Sequence, residues 1–270
     1  MTDSVNRPLR LKPRGGLAVQ YAAIRALFLR EIQTRFGHYR LGYLWAILEP
    51  GIQVIFFLII FGAIMKRAIP GMDYSLFLIN GMLPFFMFMR SATRALSAVE
   101  SNRGLFSYRS VKPVDALIAR TTLESALYFA VYLLFTGVLL WVGKEVNFSH
   151  LPFLILCWLL LFLFSIGFSL IMMVIGDLSE EVGKFIGAIF FVFYLMSGVI
   201  YSIHIIPIQY QGYILWNPIV HCIESMRHAV SPTYPADHIS IFYFVKCLIV
   251  VMFLGLLLYK GTEKRMLKTK

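Results

Sequence analysis

Charge is what this sequence has least of. Asp, Glu, Lys and Arg make up 14% of its 270 residues, where a soluble domain carries about 25%. Apolar residues make up 59%, and the mean hydropathy is +0.75. A soluble fold of this length has no interior able to hide so much apolar surface, so the expected solvent is lipid. Cysteine is also sparse. Cys157, Cys222 and Cys247 are odd in number and scattered, without CxxC spacing, and support neither a disulfide framework nor a zinc site. The motifs of nucleotide and group-transfer chemistry are missing too. There is no GxxxxGK[ST]: Gly143-Lys144 and Gly183-Lys184 run on into Glu and Phe. DxD, HxxxxD, HExxH and GxSxG are likewise absent. The expectation is a chain that is no enzyme by itself and holds no cofactor or metal. Residues 1–16 are polar and basic, and the first apolar run starts too deep and runs too long for a cleavable signal peptide, so none is expected.

Long apolar stretches are abundant. A span needs about 20 apolar residues, and six are expected, over 44–65, 75–98, 116–142, 151–175, 185–203 and 239–259. The fold class is therefore an all-α polytopic membrane protein with a single domain. Residues 1–43 form a tail and interface helix, 44–259 the six-span region and 260–270 a second tail. Residues 204–238 stay apolar but contain Pro207, Gly212, Asn217, Pro218, Pro232 and Pro235. They are too broken to span and too apolar for a free loop, which predicts short re-entrant helices packed against protein.

The formal net charge of +11 does not point to nucleic acid, because the cations flank the spans. Eighteen Lys and Arg fall on the side holding both termini and four on the other, so both termini are expected in the cytoplasm. Within residues 17–36, Leu17, Tyr21, Ile24, Phe28 and Ile32 form one helical stripe, with Arg30, Gln33 and Thr34 opposite. Such a helix lies on the inner membrane surface, with Arg25 and Arg35 reaching lipid phosphates. It reads either as an anchor or as a lever between a cytoplasmic partner and the first span.

The cytoplasmic connection SNRGLFSYRSVKPVD offers Leu105 and Phe106 beside Asn102, Arg103 and Gly104, a composition that seeks a partner groove or dips into the headgroups. Charges inside spans cost about 2.5–3.5 kcal/mol each at mid-bilayer on insertion scales. Arg90 and Arg94 share a face one turn apart, either lining a wet path for an anionic substrate or reaching back to the interface; Glu49 is a candidate partner for one of them. Lys246, in the sixth expected span, reads as reaching outward. His221, Glu224 and His228 share a helix face, where packing is favoured over a metal. Phe190, Phe191, Phe193, Tyr194 and Tyr201 read as packing or lipid-facing, with a subset available to stack on sugars. Asp177, Glu180 and Glu181 form an acidic patch, read as a solvated face or a contact to a basic partner.

Three stretches, FLREIQTRFGHYRLGYLWAILEP, NRGLFSYRSVKPVDALIAR and ILWNPIVHCIESMR, resemble the membrane subunit of ABC-2 type exporters. More closely, they resemble the inner-membrane permeases of Gram-negative capsular-polysaccharide exporters. The resemblance runs over nearly the whole chain from about Leu27. It implies a homodimer in the inner membrane, paired with two copies of a separate ATPase subunit that binds ATP and Mg. The implied substrate is a lipid-linked acidic polysaccharide, passed on to periplasmic co-polymerase and outer-membrane export proteins. By the same resemblance, Asn102, Arg103, Gly104, Leu105, Phe106 and Tyr108 form the coupling helix, and Arg25, Phe28, Arg30 and Arg35 belong to the interface helix. The polymer path runs along spans 1, 2 and 5, with Trp45, Glu49, Arg90, Arg94 and Tyr194 as candidate lining residues. Alternatives are an ABC-2 permease for O-antigen, a teichoic-acid-like polymer, a drug or a small lipid, and a membrane-bound acyl- or glycosyltransferase.

Overall fold

The computed structural model describes residues 15–37, 42–65, 69–107, 111–179 and 181–267. Among them are nine α-helices. These are α1 (Gly16–Phe36), α2 (Gly42–Met65), α3 (Tyr74–Ala95), α4 (Pro113–Trp141), α5 (Leu151–Leu178), α6 (Val182–Met196), α7 (Ile208–Leu215), α8 (Pro218–Val230) and α9 (Ile241–Met266). A 3-10 segment, Glu100–Ser107, follows α3. Local chemistry sets several starts. Asp73 caps α3 by accepting from the Ser75 N–H at 2.9 Å, and Asn217 caps α8 by accepting from Ile219 at 3.0 Å. Pro113 opens α4, whose Asp115 accepts from the Lys112 N–H at 3.0 Å.

Four helices, α3, α4, α5 and α9, are long and apolar enough to cross a membrane. In α2 and α6 the apolar stretches are shorter, Ile47–Phe61 and Val182–Met196. The fifth expected span, 185–203, is not one continuous helix. Gly198 adopts φ +61° just past the end of α6, a left-handed residue that stops a helix. Fifteen helical residues reach about 22 Å, short of a hydrocarbon core of about 30 Å. Backbone beyond such a stop needs protein partners, since lipid offers none. Arg227 of α8 supplies them, donating to the carbonyls of Gly198 at 2.8 Å and Val199 at 2.9 Å.

The most enclosed of these four long helices is α3, held against α4 by Tyr132, whose hydroxyl donates to Asn80 Oδ1 at 2.9 Å. The α5 and α9 backbones meet at two glycines. A Cβ on Gly255 would lie 2.5 Å from the Gly167 carbonyl, and one on Gly167 would lie 2.9 Å from Met252 Cα, a small-residue crossing suited to lipid. Helix ends gather into two sets. At one, Lys144 bonds Asp73 at 2.6 Å, and Ser231 and Thr233 donate to the Gly71 carbonyl at 2.7 and 2.5 Å. At the other, Arg265 meets Asp177 at 2.7 Å and Lys112 meets Glu263 at 3.5 Å. The 204–238 region resolves into a 3-10 turn at Ile203–Ile205, the surface helix α7 and the enclosed helix α8.

Candidate functional site

The 3-10 segment after α3 carries most of the expected coupling residues. It is less open than its sequence implies. Phe106 is 7% exposed and belongs to the main core, and Leu105 packs half-buried beside Leu27, Ala116 and Ala119. The expectation that Phe106 is open to a partner groove or the headgroups is therefore corrected, whereas Leu105 stays partly exposed. The turn folds Phe106 into the main core and sets Leu105 beside Leu27 of α1, because burial within the chain removes apolar surface from water without a second protein. The outward surface consists of Glu100, Ser101 and Gly104. A Cβ added at Gly104 would meet nothing within 4 Å. Asn102 is buried and accepts from Arg30 at 2.8 Å, and Arg103 faces Asp177 at 3.7 Å. Tyr108 lies outside the described residues.

Helix α1 docks on α4 through Leu27, which packs with Ala116 and Ala119, with Ile24 and Phe28 at the edge; Phe36 is also buried. Leu17 and Tyr21, part of the expected stripe, are exposed, as residues meant for a membrane surface would be, whereas Ile24 and Phe28 of the same stripe pack beside Leu27. Arg35 does not reach outward towards phosphates. Its Nη1 meets Glu124 Oε1 at 2.5 Å, on a carboxylate that is 1% exposed. The Nε of Arg94 meets the same oxygen at 2.6 Å. One turn earlier on α4, Arg120 faces Glu31 at 3.2 Å and donates to the Arg94 carbonyl at 3.1 Å and the Ser101 hydroxyl at 2.7 Å. Arg25 is exposed.

Beyond this charged layer lies a cavity of about 740 Å³ between α2, α3 and α6. Gln53 and Phe57 line it from α2. Phe86, Met89, Arg90 and Thr93 contribute from α3, and Ile186, Phe190, Phe191 and Tyr194 from α6. Its walls are mostly apolar, with a single guanidinium. Arg90 is paired with Glu49 of α2, and the Tyr128 hydroxyl lies beside it. The Tyr194 ring stacks on Phe86 with centroids 5.8 Å apart, and its buried hydroxyl has no partner. Trp45 is exposed on the outer face of α2. Of the five expected path residues, Arg90 and Tyr194 line the cavity, Glu49 touches it through Arg90, and Arg94 and Trp45 point elsewhere.

At the opposite end, Arg227 is fully buried over the Phe77 ring, 3.4 Å from its centroid, and meets Glu224 at 2.6 Å. His221 stands between the Leu215 carbonyl at 2.8 Å and the Ser240 N–H at 3.0 Å. Nδ1 accepts and Nε2 donates, which is the neutral ring. His228 bonds the Tyr234 carbonyl at 2.8 Å. Each histidine of the expected stripe thus has its own backbone partner, and among the described residues no His, Cys, Asp or Glu group could hold a metal. Lys246 is exposed on α9. Asp177 is not a solvated acid: it is nearly enclosed and held by Arg265 and Arg103, because α9 runs on past the membrane segment to meet α5. Glu180 lies outside the described residues.

The residue that sequence reasoning passed over is Glu124. A signal was available: it is the one acid in the third apolar stretch, four residues after that stretch's one base, Arg120. Intramembrane charges that share a helix face need partners.

Residues 22–230 match the ABC-2 type transporter family. The polysialic acid transport protein KpsM of Escherichia coli is 44% identical over 254 residues, which cover 94% of this chain and 98% of that protein. The capsule polysaccharide export inner-membrane protein CtrC of Neisseria meningitidis serogroup B is 28% identical over 248 residues, 92% of this chain and 94% of that protein. The O-antigen export system permease protein RfbA of Klebsiella pneumoniae is 23% identical over 250 residues, 92% of this chain and 95% of that protein. With 22–230 inside the family's bounds and a 44% identical relative aligned almost end to end, the chain belongs to the ABC-2 type transporters and is a membrane transport subunit.

Proposed function

We propose that this chain is the permease subunit of an ATP-driven exporter that carries a lipid-linked acidic capsular polysaccharide across a bacterial inner membrane. The relatives named for polysialic acid transport and capsule export support the substrate class. The observation that carries the transport reading is the α2–α3–α6 cavity, with one cation inside apolar walls. A mobile anion crossing a low-dielectric path needs a nearby positive charge to offset its lost hydration. Exposed apolar side chains flank the cavity, among them Ile52, Phe56 and Ile59 on α2 and Phe185 and Ile189 on α6. A second copy facing this side would close the groove into a canal, which favours a homodimer.

The chain carries no phosphate-binding loop, so ATP and Mg belong to a separate ATPase subunit, two copies per dimer. That subunit docks on the surface formed by Glu100, Ser101 and Gly104 and the adjoining end of α1. Six crossings with both termini cytoplasmic follow the distribution of basic residues, with α6 and the turn after it forming the fifth. Periplasmic co-polymerase and outer-membrane export proteins receive the polymer.

The test is deletion of the gene in its own host. Surface capsule should disappear while lipid-linked polymer accumulates inside the cell, and the intact gene should restore export only when an ATPase subunit is present. Unchanged capsule refutes the reading. Loss of O-antigen with capsule intact favours the O-antigen alternative.

A further inference from the structure

The transport reading leaves one buried group without a role. Glu124 sits on α4, enclosed by protein; Arg35 of α1 donates to its Oε1, and Arg94 Nε of α3 lies 2.6 Å from the same oxygen without hydrogen-bonding it, while Oε2 has no partner. Another buried carboxylate, Glu224, has one cation for one oxygen. A fixed ion centre with two guanidiniums is best served when each has its own oxygen. Two on one oxygen leave a second arrangement open: a rotation of the carboxylate that hands one cation to Oε2.

The three elements that meet here have different duties. Helix α1 and the 3-10 segment, joined by Arg30 and Asn102, lie at the end where a cytoplasmic subunit would push. Helix α3 lines the cavity with Arg90, one turn from Arg94. Between them stands α4, whose Arg120 repeats the link with opposite polarity, reaching Glu31 of α1 and the Arg94 carbonyl of α3.

We propose that Glu124 is a positioning residue that passes displacement of the interface helix to the inner end of α3, and so to the opening of the cavity at Arg90. This rests on the ATPase-driven reading above. A shift of α1 carries Arg35 with it. The shared carboxylate then follows Arg35 or stays with Arg94, and either choice moves the Arg94 end of α3 relative to α2.

The experiment compares the wild-type chain, Glu124→Gln, Glu124→Asp and the pair Arg94→Gln with Glu124→Gln, each co-expressed with the ATPase subunit. Membrane abundance, ATP hydrolysis and surface polysaccharide per complex are measured together. The paired variant orphans less charge and should recover abundance and co-purification, yet its export per ATP hydrolysed should stay down by about tenfold, within the usual range of coupling between sites. Glu124→Asp, with the charge on a shorter arm, should recover part of the export. Wild-type export per ATP from the paired variant overturns the proposal. So does export that falls only in proportion to abundance in both Gln variants, which is the mark of a purely structural ion pair. A wild-type chain that neither co-purifies with an ATPase nor exports sinks the function reading instead.

Discussion

Two buried arginine–glutamate centres stand at opposite ends of this bundle, built from the same groups. In the one on α8, outer in the proposed topology, the cation is saturated. Arg227 gives its donors to Glu224 and to the carbonyls of Gly198, Val199 and Phe77, all within the chain, and it is fully buried. In the inner one the anion is shared. Glu124 holds two partly exposed arginines from different helices on a single oxygen. Each carboxylate has an idle oxygen, so the difference lies in the cations: one cannot leave without stranding several acceptors, whereas the other two can trade places. A saturated centre fixes a fold, and a shared one has room to move.

The largest effect is expected from breaking the outer centre. Arg227→Ala strands a buried carboxylate and the two carbonyls that follow the end of α6, which costs about 3–5 kcal/mol when one member of a buried pair is removed. Membrane abundance and thermal unfolding of the purified protein should both collapse, and Arg227→Lys should fare little better, because one ammonium cannot span donors to three elements. Near-normal melting of Arg227→Ala would mean that the outer centre is not what holds the turn after α6.

Next come the residues expected to couple the chain to an ATPase, which separate folding from docking. Phe106→Asp puts an unpaired charge among buried apolar side chains, at a cost of several kcal/mol, and should reduce folded protein. Gly104→Trp adds bulk where a Cβ meets nothing, so it should leave abundance intact and weaken association with the ATPase subunit. If Gly104→Trp co-purifies and exports normally, docking lies elsewhere.

The two centres also differ in how far they can be read from the sequence. The span-forming stretches show in hydropathy, because lipid burial needs length and little else. Arg227 looks like an outer-loop cation, because its burial depends on carbonyls near residue 198 and on Gly81, whose missing Cβ makes room for the guanidinium. Nothing local announces contacts so distant. The stop at Gly198 was readable as a helix-ending signal but was hidden by the apolar residues beyond it. At the inner end the Glu49–Arg90 pair can be anticipated as two costly charges in adjoining spans, whereas the sequence leaves Arg94 open between the path and the interface, because its partner, Glu124, is on a third helix. Phe106 shows the limit of composition: an apolar residue in a polar loop marks a contact without saying whether the partner is another chain or its own core.

A smaller and more specific effect is expected at Arg90. Its partner Glu49 is partly exposed, so the pair adds little stability. Arg90→Gln should lower export of an acidic polymer several-fold at unchanged abundance if the cavity carries the anion. Arg90→Lys should restore part of it. Proportional loss of protein and polysaccharide, rescued fully by Lys, would return Arg90 to an anchoring role and leave Glu124 without a groove to control.

The smallest effect belongs to the ion pair between outer loops, and pH isolates it. Burial pushes the Asp73 carboxyl up, but the hydrogen bonds from the Lys144 ammonium and the Ser75 N–H outweigh this and hold it below its ordinary value. A carboxylate depressed in the folded state contributes stability that is present above its unfolded pKa of about 3.9 and is lost as pH falls through the lower folded value. Solvent screens so exposed a pair, so the contribution at neutral pH is under about 1 kcal/mol. Asp73→Asn keeps the helix cap, since Asn serves there as well as Asp, and removes only the charge. Its melting temperature should fall slightly below wild type at neutral pH, and less so in high salt. The gap should close as the buffer is taken below about pH 3.9, where wild-type Asp73 also begins to lose its charge. A gap that persists undiminished in acid would assign the loss to packing at the cap, and the loops would then be joined by Gly71, Ser231 and Thr233 without help from the ion pair.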